Sequence, residues 1–247
     1  MNAKRLLILV YITLLPSLVD AAYMSGFPPG FNIRNLVKHT DLIVYGTVED
    51  MEFVFRANTP SQYTTDITVE VKQVIKGTPN VDEDTVKFMI YGGTGIHPHT
   101  GKDLTVGSGH SYDFKIGKDV LLYLRQSKRV EMDTPYDGYY VFYGRVGKRD
   151  VKRNKVAIPY TFKKYIVDNY DGNLAGKQID IRKYIELPID LVIDISKASL
   201  VNYDAVVPLE EKIRDVIASS PGRKHRTISK SLAKELSDDA NRIKERN

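Results

Sequence analysis

The 247-residue chain contains no cysteine and no tryptophan. Without cysteine it cannot form a disulfide, a thiolate nucleophile or a metal site built on cysteine. A protein of this kind has to be stabilised by its hydrophobic core. The sequence also lacks the HExxH, GxSxG, phosphate-loop and dinucleotide-binding motifs that mark several enzyme classes. We therefore expect a protein that is not an enzyme and needs no cofactor.

Long apolar runs are absent from the chain after its first residues. Residues 1–21 place two basic side chains before an apolar run at 6–15, followed by a sequence that suits cleavage after Ala21. This arrangement is typical of a secretory signal peptide. The alternative is an uncleaved anchor, but the run is short for a membrane span and Pro16 follows it. We expect export to the periplasm or the extracellular space, with no transmembrane span after cleavage.

Basic side chains are concentrated near the C-terminus. The whole chain contains 36 Lys and Arg against 31 Asp and Glu, for a formal net charge of +5. Residues 221–247 hold eight of the basic and four of the acidic side chains. Such a segment can favour an anionic surface or polymer. The alternative is a charged segment that is simply solvated, and the charge pattern leaves both open.

Alternating apolar and polar residues dominate the middle of the chain. Gly46 lies inside an apolar run, where a glycine suits a β-bulge or a sharp bend. The unbroken apolar run at 118–125 predicts a buried strand. Turns rather than helical segments join these runs, so we expect mainly antiparallel pairing. The predicted strands are residues 41–56, 64–77, 84–91, 118–125, 136–147 and 154–160.

Helical patterns lie on both sides of these strands. Apolar residues at helical spacing predict a short helix around 33–37, and a longer one with Pro208 at its first position. A second C-terminal helix is expected to follow, with Thr227 as its N-cap. Between the strands and these helices, the apolar residues 187–195 are interpreted as a short strand.

Four segments occur in an order that is typical of one kind of secreted domain. They read HTDLIVYGTVEDME, ITVEVKQVIKG, YDFKIGKDVLLYL and YYVFYGRVGK, with a glycine-rich loop between the second and the third. This order resembles a widespread group of prokaryotic secreted β-modules. The first two segments are also similar to the opening of the inhibitor domain of the tissue inhibitors of metalloproteinases and of the netrin module. The resemblance covers residues 35–160.

The resemblance implies a mainly β fold, an OB-like antiparallel barrel of five to six strands. It implies no activity, because none is established for the prokaryotic modules. The animal inhibitors use an N-terminal cysteine that chelates zinc, and this chain has no cysteine. Together with the helical patterns, the resemblance divides the chain into a signal peptide at 1–21, an OB-like barrel at 35–160, a mixed extension packing on the barrel at 161–220, and a basic C-terminal helix at 221–247.

Three of the five histidines lie in the glycine-rich segment GGTGIHPHTGKDLTVGSGH, at positions 97, 99 and 110. On an extended strand His97 and His99 would share a face. With His110 or Asp103 they could bind zinc or copper. The alternative is a hairpin tip that exposes polar side chains with no further role. A metal site is the alternative prediction for this segment.

Two basic turns flank a run of aromatic residues. Arg129 lies in the first turn, Arg149, Lys152 and Arg153 lie in the second, and Tyr140 lies between them. OB barrels with aromatic side chains and positive loops bind oligonucleotides and oligosaccharides. Because an exported protein is a poor match for nucleic acid, we predict an anionic polysaccharide or a protein as the partner. The alternative is a pair of solvated turns whose lysines deter edge pairing.

The sequence therefore predicts an exported, non-catalytic binding or interaction module at the cell surface or in the periplasm. The alternative function is a metal-binding protein that uses the histidine loop 97–110. The oligomeric state is left open by the sequence.

Overall fold

The computed structural model describes residues 32–56, 62–79, 81–97, 99–107, 113–126, 139–141, 147–165, 178–219 and 227–246. The predicted signal peptide, Arg129, His110 and the N-terminal part of the predicted C-terminal segment lie outside these residues. None of the described helices is both long and apolar enough to cross a membrane.

Within the described residues the chain forms four helices and ten strands. The helices are α1 (Ile33–Lys38), α2 (Ile189–Val201), α3 (Val207–Ala218) and α4 (Lys230–Glu245). The strands are β1 (Leu42–Phe55), β2 (Tyr63–Lys76), β3 (Thr85–Tyr91), β4 (Gly93–Ile96), β5 (Asp103–Val106), β6 (Asp119–Gln126), β7 (Tyr139–Val141), β8 (Lys148–Lys152), β9 (Lys155–Tyr165) and β10 (Gln178–Pro188).

One antiparallel sheet organises the molecule. Its strands follow the order β10-β9-β8-β6-β1-β2-β3, and β7 pairs with β6 beside β8. Strands β4 and β5 form a separate hairpin. The prediction of a mainly β, antiparallel fold with C-terminal helices is confirmed. Among the described strands the hydrogen-bonded order is open, running from β10 at one edge to β3 at the other.

The central strands are buried on both faces. In β6, Val120, Leu122 and Leu124 point into one hydrophobic core, which we call the inner core. The alternate residues Leu121 and Tyr123 point into a second core shared with the helices, the helix-side core. An unbroken apolar run is what such a strand requires, because alternation would place polar groups in one of the cores. The prediction of a buried strand at 118–125 is confirmed over its apolar residues.

The four helices cover one face of the sheet. Helix α2 is the most deeply buried, and its apolar residues meet the sheet, α1 and α4. Our interpretation of residues 187–195 as a strand is wrong beyond Pro188, where β10 ends and α2 begins. A short run that is apolar on nearly all sides does not show its periodicity, so a buried helix and a buried strand read alike.

The remaining helix predictions agree with the structure, with one small difference. Helix α1 and helix α3 lie where helical spacing placed them, and Pro208 lies in the first turn of α3. The N-cap of α4 is Ser229 rather than Thr227, because the Ser229 hydroxyl accepts the Leu232 N–H at 3.1 Å. Thr227 instead forms a bridge with Glu186 of β10.

The boundary placed between residues 160 and 161 falls inside a strand. β9 runs through this point and pairs with β10 over its full length, from Lys155 opposite Pro188 to Tyr165 opposite Gln178. The β9–β10 pair joins the sheet to α2 without an intervening loop, since α2 begins at Ile189.

Gly46 marks an irregularity in β1, as its place inside an apolar run predicted. The pairing of β1 with β2 shifts between Tyr45 and Gly46, and again between Val48 and Asp50. A Cβ atom at Gly46 would lie 2.3 Å from the Glu70 carbonyl oxygen. Only glycine lets the two backbones approach this closely, and the register shifts bend the long β1–β2 pair.

We expect Gly46→Ala to lower the free energy of unfolding by about 1–3 kcal/mol, because the added methyl group overlaps backbone that cannot rotate away. Urea unfolding monitored by circular dichroism would measure this. Gly107→Ala is the matched control, since a Cβ atom there meets nothing within 4 Å. Equal stability of the two variants would contradict this account of the bulge.

Candidate functional site

The histidine segment forms the tip of the β4–β5 hairpin. The His97 N–H donates to the Lys102 carbonyl at 2.8 Å, and the Gly101 N–H donates to the His97 carbonyl at 2.9 Å. The His97 side chain closes the turn, because its Nδ1 accepts the N–H groups of His99 at 3.1 Å and Thr100 at 3.3 Å. His97 is therefore an element of the turn, and His99 lies beside it on the exposed side.

The two hydrogen bonds that His97 Nδ1 accepts affect how this side chain could bind a metal. A histidine that binds a metal through one ring nitrogen normally donates the N–H of the other to an acceptor. At His97 that other nitrogen faces two backbone donors. Among the described residues, no three histidine or acidic side chains come together as a metal site would need. Asp103 lies across the hairpin from Ile96, and His110 lies outside the described residues.

The hairpin tip brings five rings together, a set we call the ring cluster. Phe53 stacks on Tyr63 with centroids 5.7 Å apart, and Phe55 meets the same Tyr63 at 5.3 Å. His97 lies 5.9 Å from Tyr63, His99 lies 5.8 Å from Phe55, and the two imidazoles are 5.8 Å apart. Phe55 is 36% exposed. A row of strand residues and a distant hairpin thus form one aromatic surface.

The ring cluster continues the inner face of β2. Alternation places Tyr63 on the same side as Ile67 and Val69, which belong to the inner core. The alternating pattern predicted a common face for Ile67, Val69 and Val71, and the prediction did not extend to Tyr63. Phe53 and Phe55, two apart on β1, could also have been seen to share a face. What no local pattern shows is that the histidine hairpin lies against them.

A glycine holds the hairpin against these rings. A Cβ atom at Gly95 would lie 2.4 Å from Cδ1 of Phe53, so the backbone of β4 rests directly on that ring. Nearby, the Thr65 hydroxyl donates to the Gly92 carbonyl at 2.7 Å. The glycine-rich composition of this segment therefore reflects close packing of backbone on an aromatic side chain as well as turn formation.

The second predicted site, the basic turn, is a tight β-hairpin. Arg153 and Asn154 have φ angles of 52° and 60° and connect β8 to β9 as a two-residue turn. Lys152, Arg153 and Lys155 are all exposed, and none forms a salt bridge with another described residue. We call residues 152–155 the basic hairpin.

Arg149 is separated from this exposed group by burial. It is only 8% exposed, and its guanidinium lies over the Tyr184 ring, 5.6 Å from the centroid. Its neighbour Lys148 is equally buried and donates to the Asp113 carbonyl at 2.7 Å. A ligand in solution would meet Lys152 and Arg153 before it met Arg149.

Tyr140 lies toward the other end of β6. Tyr140 pairs with Arg125, whereas Asp150 pairs with Val120, so five positions of β6 separate the two pairings. At the rise of a β-strand this is about 17 Å. The structure therefore groups Lys152 with Arg153, places Arg149 beneath the surface, and keeps Tyr140 apart from the basic hairpin.

A buried carboxyl group lies between α1 and α3, and sequence analysis did not identify it. Glu210 is 3% exposed and accepts the backbone N–H of Arg34 at 3.0 Å. The Arg34 Nε lies 3.1 Å from Oε2 as an ion pair, although its N–H is not aligned for a hydrogen bond. Burial raises the pKa of Glu210 to about 7, against the opposing effects of Arg34 and Arg214.

The protonation of Glu210 should make stability depend on pH. Between the ordinary carboxyl pKa of 4.5 and about 7, the folded protein holds a proton that the unfolded chain has lost. Stability should therefore fall as pH rises through this window, by roughly 3 kcal/mol in total. We expect Glu210→Gln to flatten this decline in urea unfolding at a series of pH values.

Glu83→Gln is the control for this measurement, since it makes the same chemical change at an exposed glutamate. If the Glu210→Gln protein kept the wild-type slope between pH 4.5 and 7, the assignment of the slope to Glu210 would be wrong.

Comparison with known proteins leaves the family of this chain open. No protein-family model matches the sequence, and no curated protein is significantly similar to it. Function has to be inferred from the chemistry of the described surfaces.

Proposed function

We propose that this chain is an exported, non-catalytic binding module whose partner is an anionic polysaccharide, held at the basic hairpin. The observation that carries the proposal is a set of three exposed cations, Lys152, Arg153 and Lys155, on one tight turn. None of them forms a salt bridge with another described side chain, so their charge is available to a ligand.

The backbone of the basic hairpin is fixed before any ligand arrives. Lys152 pairs with Lys155 across the turn, and the Asn154 carbonyl accepts the Ile189 N–H of helix α2 at 3.0 Å. A turn anchored on both sides loses little conformational entropy when its side chains bind. Exposed cations on a fixed backbone attract anionic groups at low ionic strength and lose this attraction as salt rises.

The proposal includes a closed barrel for the strands around the inner core. β7 lies beside β3, so the strands β3, β2, β1, β6 and β7 can be followed around a ring of five. This order supports an OB-like barrel resembling the inhibitor domain of the tissue inhibitors of metalloproteinases and the netrin module, without their cysteines. We propose that residues 1–21 direct this module to the periplasm or the cell exterior.

The test compares charge removal at two places. One variant combines Lys152→Gln, Arg153→Gln and Lys155→Gln. Its control combines Lys102→Gln, Lys115→Gln and Lys118→Gln, which removes the same number of exposed cations elsewhere. Calorimetric titration with heparin, and with uncharged dextran as a reference polymer, would measure binding at low and moderate salt.

We expect the basic-hairpin variant to bind heparin at least about tenfold more weakly than the control variant, since three exposed ionic contacts are lost. Binding should weaken as salt rises, and dextran should not bind. Equal weakening in both variants would mean that only net charge matters and would reject the basic hairpin as the site. A metal-dependent function would instead appear as a melting temperature that zinc raises and EDTA lowers.

A further inference from the structure

Four members of the ring cluster form a closed quadrilateral. Following it from Tyr63 to Phe55, then to His99, His97 and back to Tyr63, the ring centroids are 5.3, 5.8, 5.8 and 5.9 Å apart. The four side chains come from three places in the chain, the ends of β1 and β2 and the β4–β5 turn. Tertiary packing alone produces this arrangement.

The rings of the quadrilateral are tilted against one another. Neighbouring planes meet at 56°, 76°, 63° and 47°. Such rings form no flat platform, which a sugar ring needs for stacking. A compact cation needs no flat platform, because it is attracted to the negative face of each aromatic ring separately.

The dimensions also suit a compact cation. If the four centroids lay at the corners of a square with these sides, each would be about 4 Å from its middle. A cation seated over the middle would then lie within roughly 6 Å of every ring, the range in which cation–π attraction is significant.

Two features hold the quadrilateral in shape. Phe53 stacks under Tyr63 with planes only 10° apart and so supports its ring. The Nδ1 atom of His97 accepts two backbone N–H groups, which fixes the orientation of the imidazole. The rings are therefore positioned before a ligand binds, while Phe55 and His99 stay exposed.

The nearest residue along β1 does not oppose a cation. Arg56 follows Phe55 directly, but its guanidinium binds both carboxylate oxygens of Asp66, with Nη1 2.8 Å from Oδ1 and Nη2 2.5 Å from Oδ2. This pair is largely shielded, with side chains 14% and 8% exposed. Its positive charge is thereby balanced within the protein.

We propose that Phe55, Tyr63, His97 and His99 form a binding site for a compact organic cation of the quaternary ammonium class. Such a group is carried by free choline and by the headgroup of a choline phospholipid. This site is separate from the basic hairpin, which attracts the opposite charge.

The first test compares two molecules of the same shape. Choline and 3,3-dimethyl-1-butanol differ in that the quaternary nitrogen of the first is a carbon atom in the second. NMR titration of the protein with each should show choline binding more tightly, by roughly twofold to thirtyfold for the cation–π contribution of these rings. Equal affinities, or no binding of choline, would overturn the proposal.

The second test changes one ring at a time. Phe55→Leu and His99→Leu remove a ring from an exposed position and keep an apolar side chain, so we expect folded proteins with weaker choline binding. His99→Phe keeps a ring and should keep binding. The matched control is Ile96→Ala on the same hairpin, where Ile96 is 66% exposed and carries no ring. Loss of binding in the control to the same extent as in Phe55→Leu would reject the rings as the site.

The third test separates the two sources of the cation. Sedimentation with phosphatidylcholine vesicles, compared with phosphatidylglycerol vesicles, shows whether a lipid headgroup can reach the rings. Binding to choline and to the phosphatidylcholine vesicles, lost in Phe55→Leu, assigns the site to the headgroup. Binding to choline alone assigns it to a soluble cation, and binding to phosphatidylglycerol alone, with none to choline, overturns the proposal.

Discussion

Burial of β1 and β6 on both faces is the constraint on which the rest of the structure depends. From Leu42 to Val44 and from Val120 to Leu124, every side chain enters one of two hydrophobic cores, the inner core or the helix-side core. A chain without cysteine has no covalent support, so its stability has to come from this apolar area. The helices are needed because one face of the sheet would otherwise be an exposed apolar surface.

Both candidate surfaces lie where this double burial ends. β6 pairs with β1 only from Leu42 to Thr47, and β1 continues beyond that point to Phe55. The inner face of β1 and β2 therefore runs on past the core, and the β4–β5 hairpin rests against it as the ring cluster. The basic hairpin likewise turns beyond the last pairing of β8 with β6, at Asp150. Both proposed binding surfaces thus lie on extensions of paired strands rather than on long loops.

Glu210 places a buried carboxyl group beside the helix-side core. A carboxyl group among apolar residues is costly when charged, and the Arg34 guanidinium offsets only part of that cost. The interaction ties α1, which precedes the first strand, to α3, which follows the last. The hydroxyl of Tyr160, fully buried in the same core, has no hydrogen-bond partner among the described residues. Both groups cost desolvation free energy, and of the two only Glu210 joins distant elements.

The sequence by itself determined the elements whose patterns are local. Alternation and apolar runs predicted β1, β2, β3, β6, β7 and the first part of β9, but not β4, β5, β8 or β10. Gly46 revealed the bulge, and helical spacing revealed α1, α3 and α4. It could not distinguish helix from strand at 189–195, where burial on nearly all sides hides the period. Tertiary structure alone decided that Arg149 is buried, that Tyr140 is remote from Lys152, and that three distant segments form the ring cluster. The physical reason is that a side chain's exposure and neighbours depend on which strands pair and which surfaces pack, and a single sequence does not contain those distances.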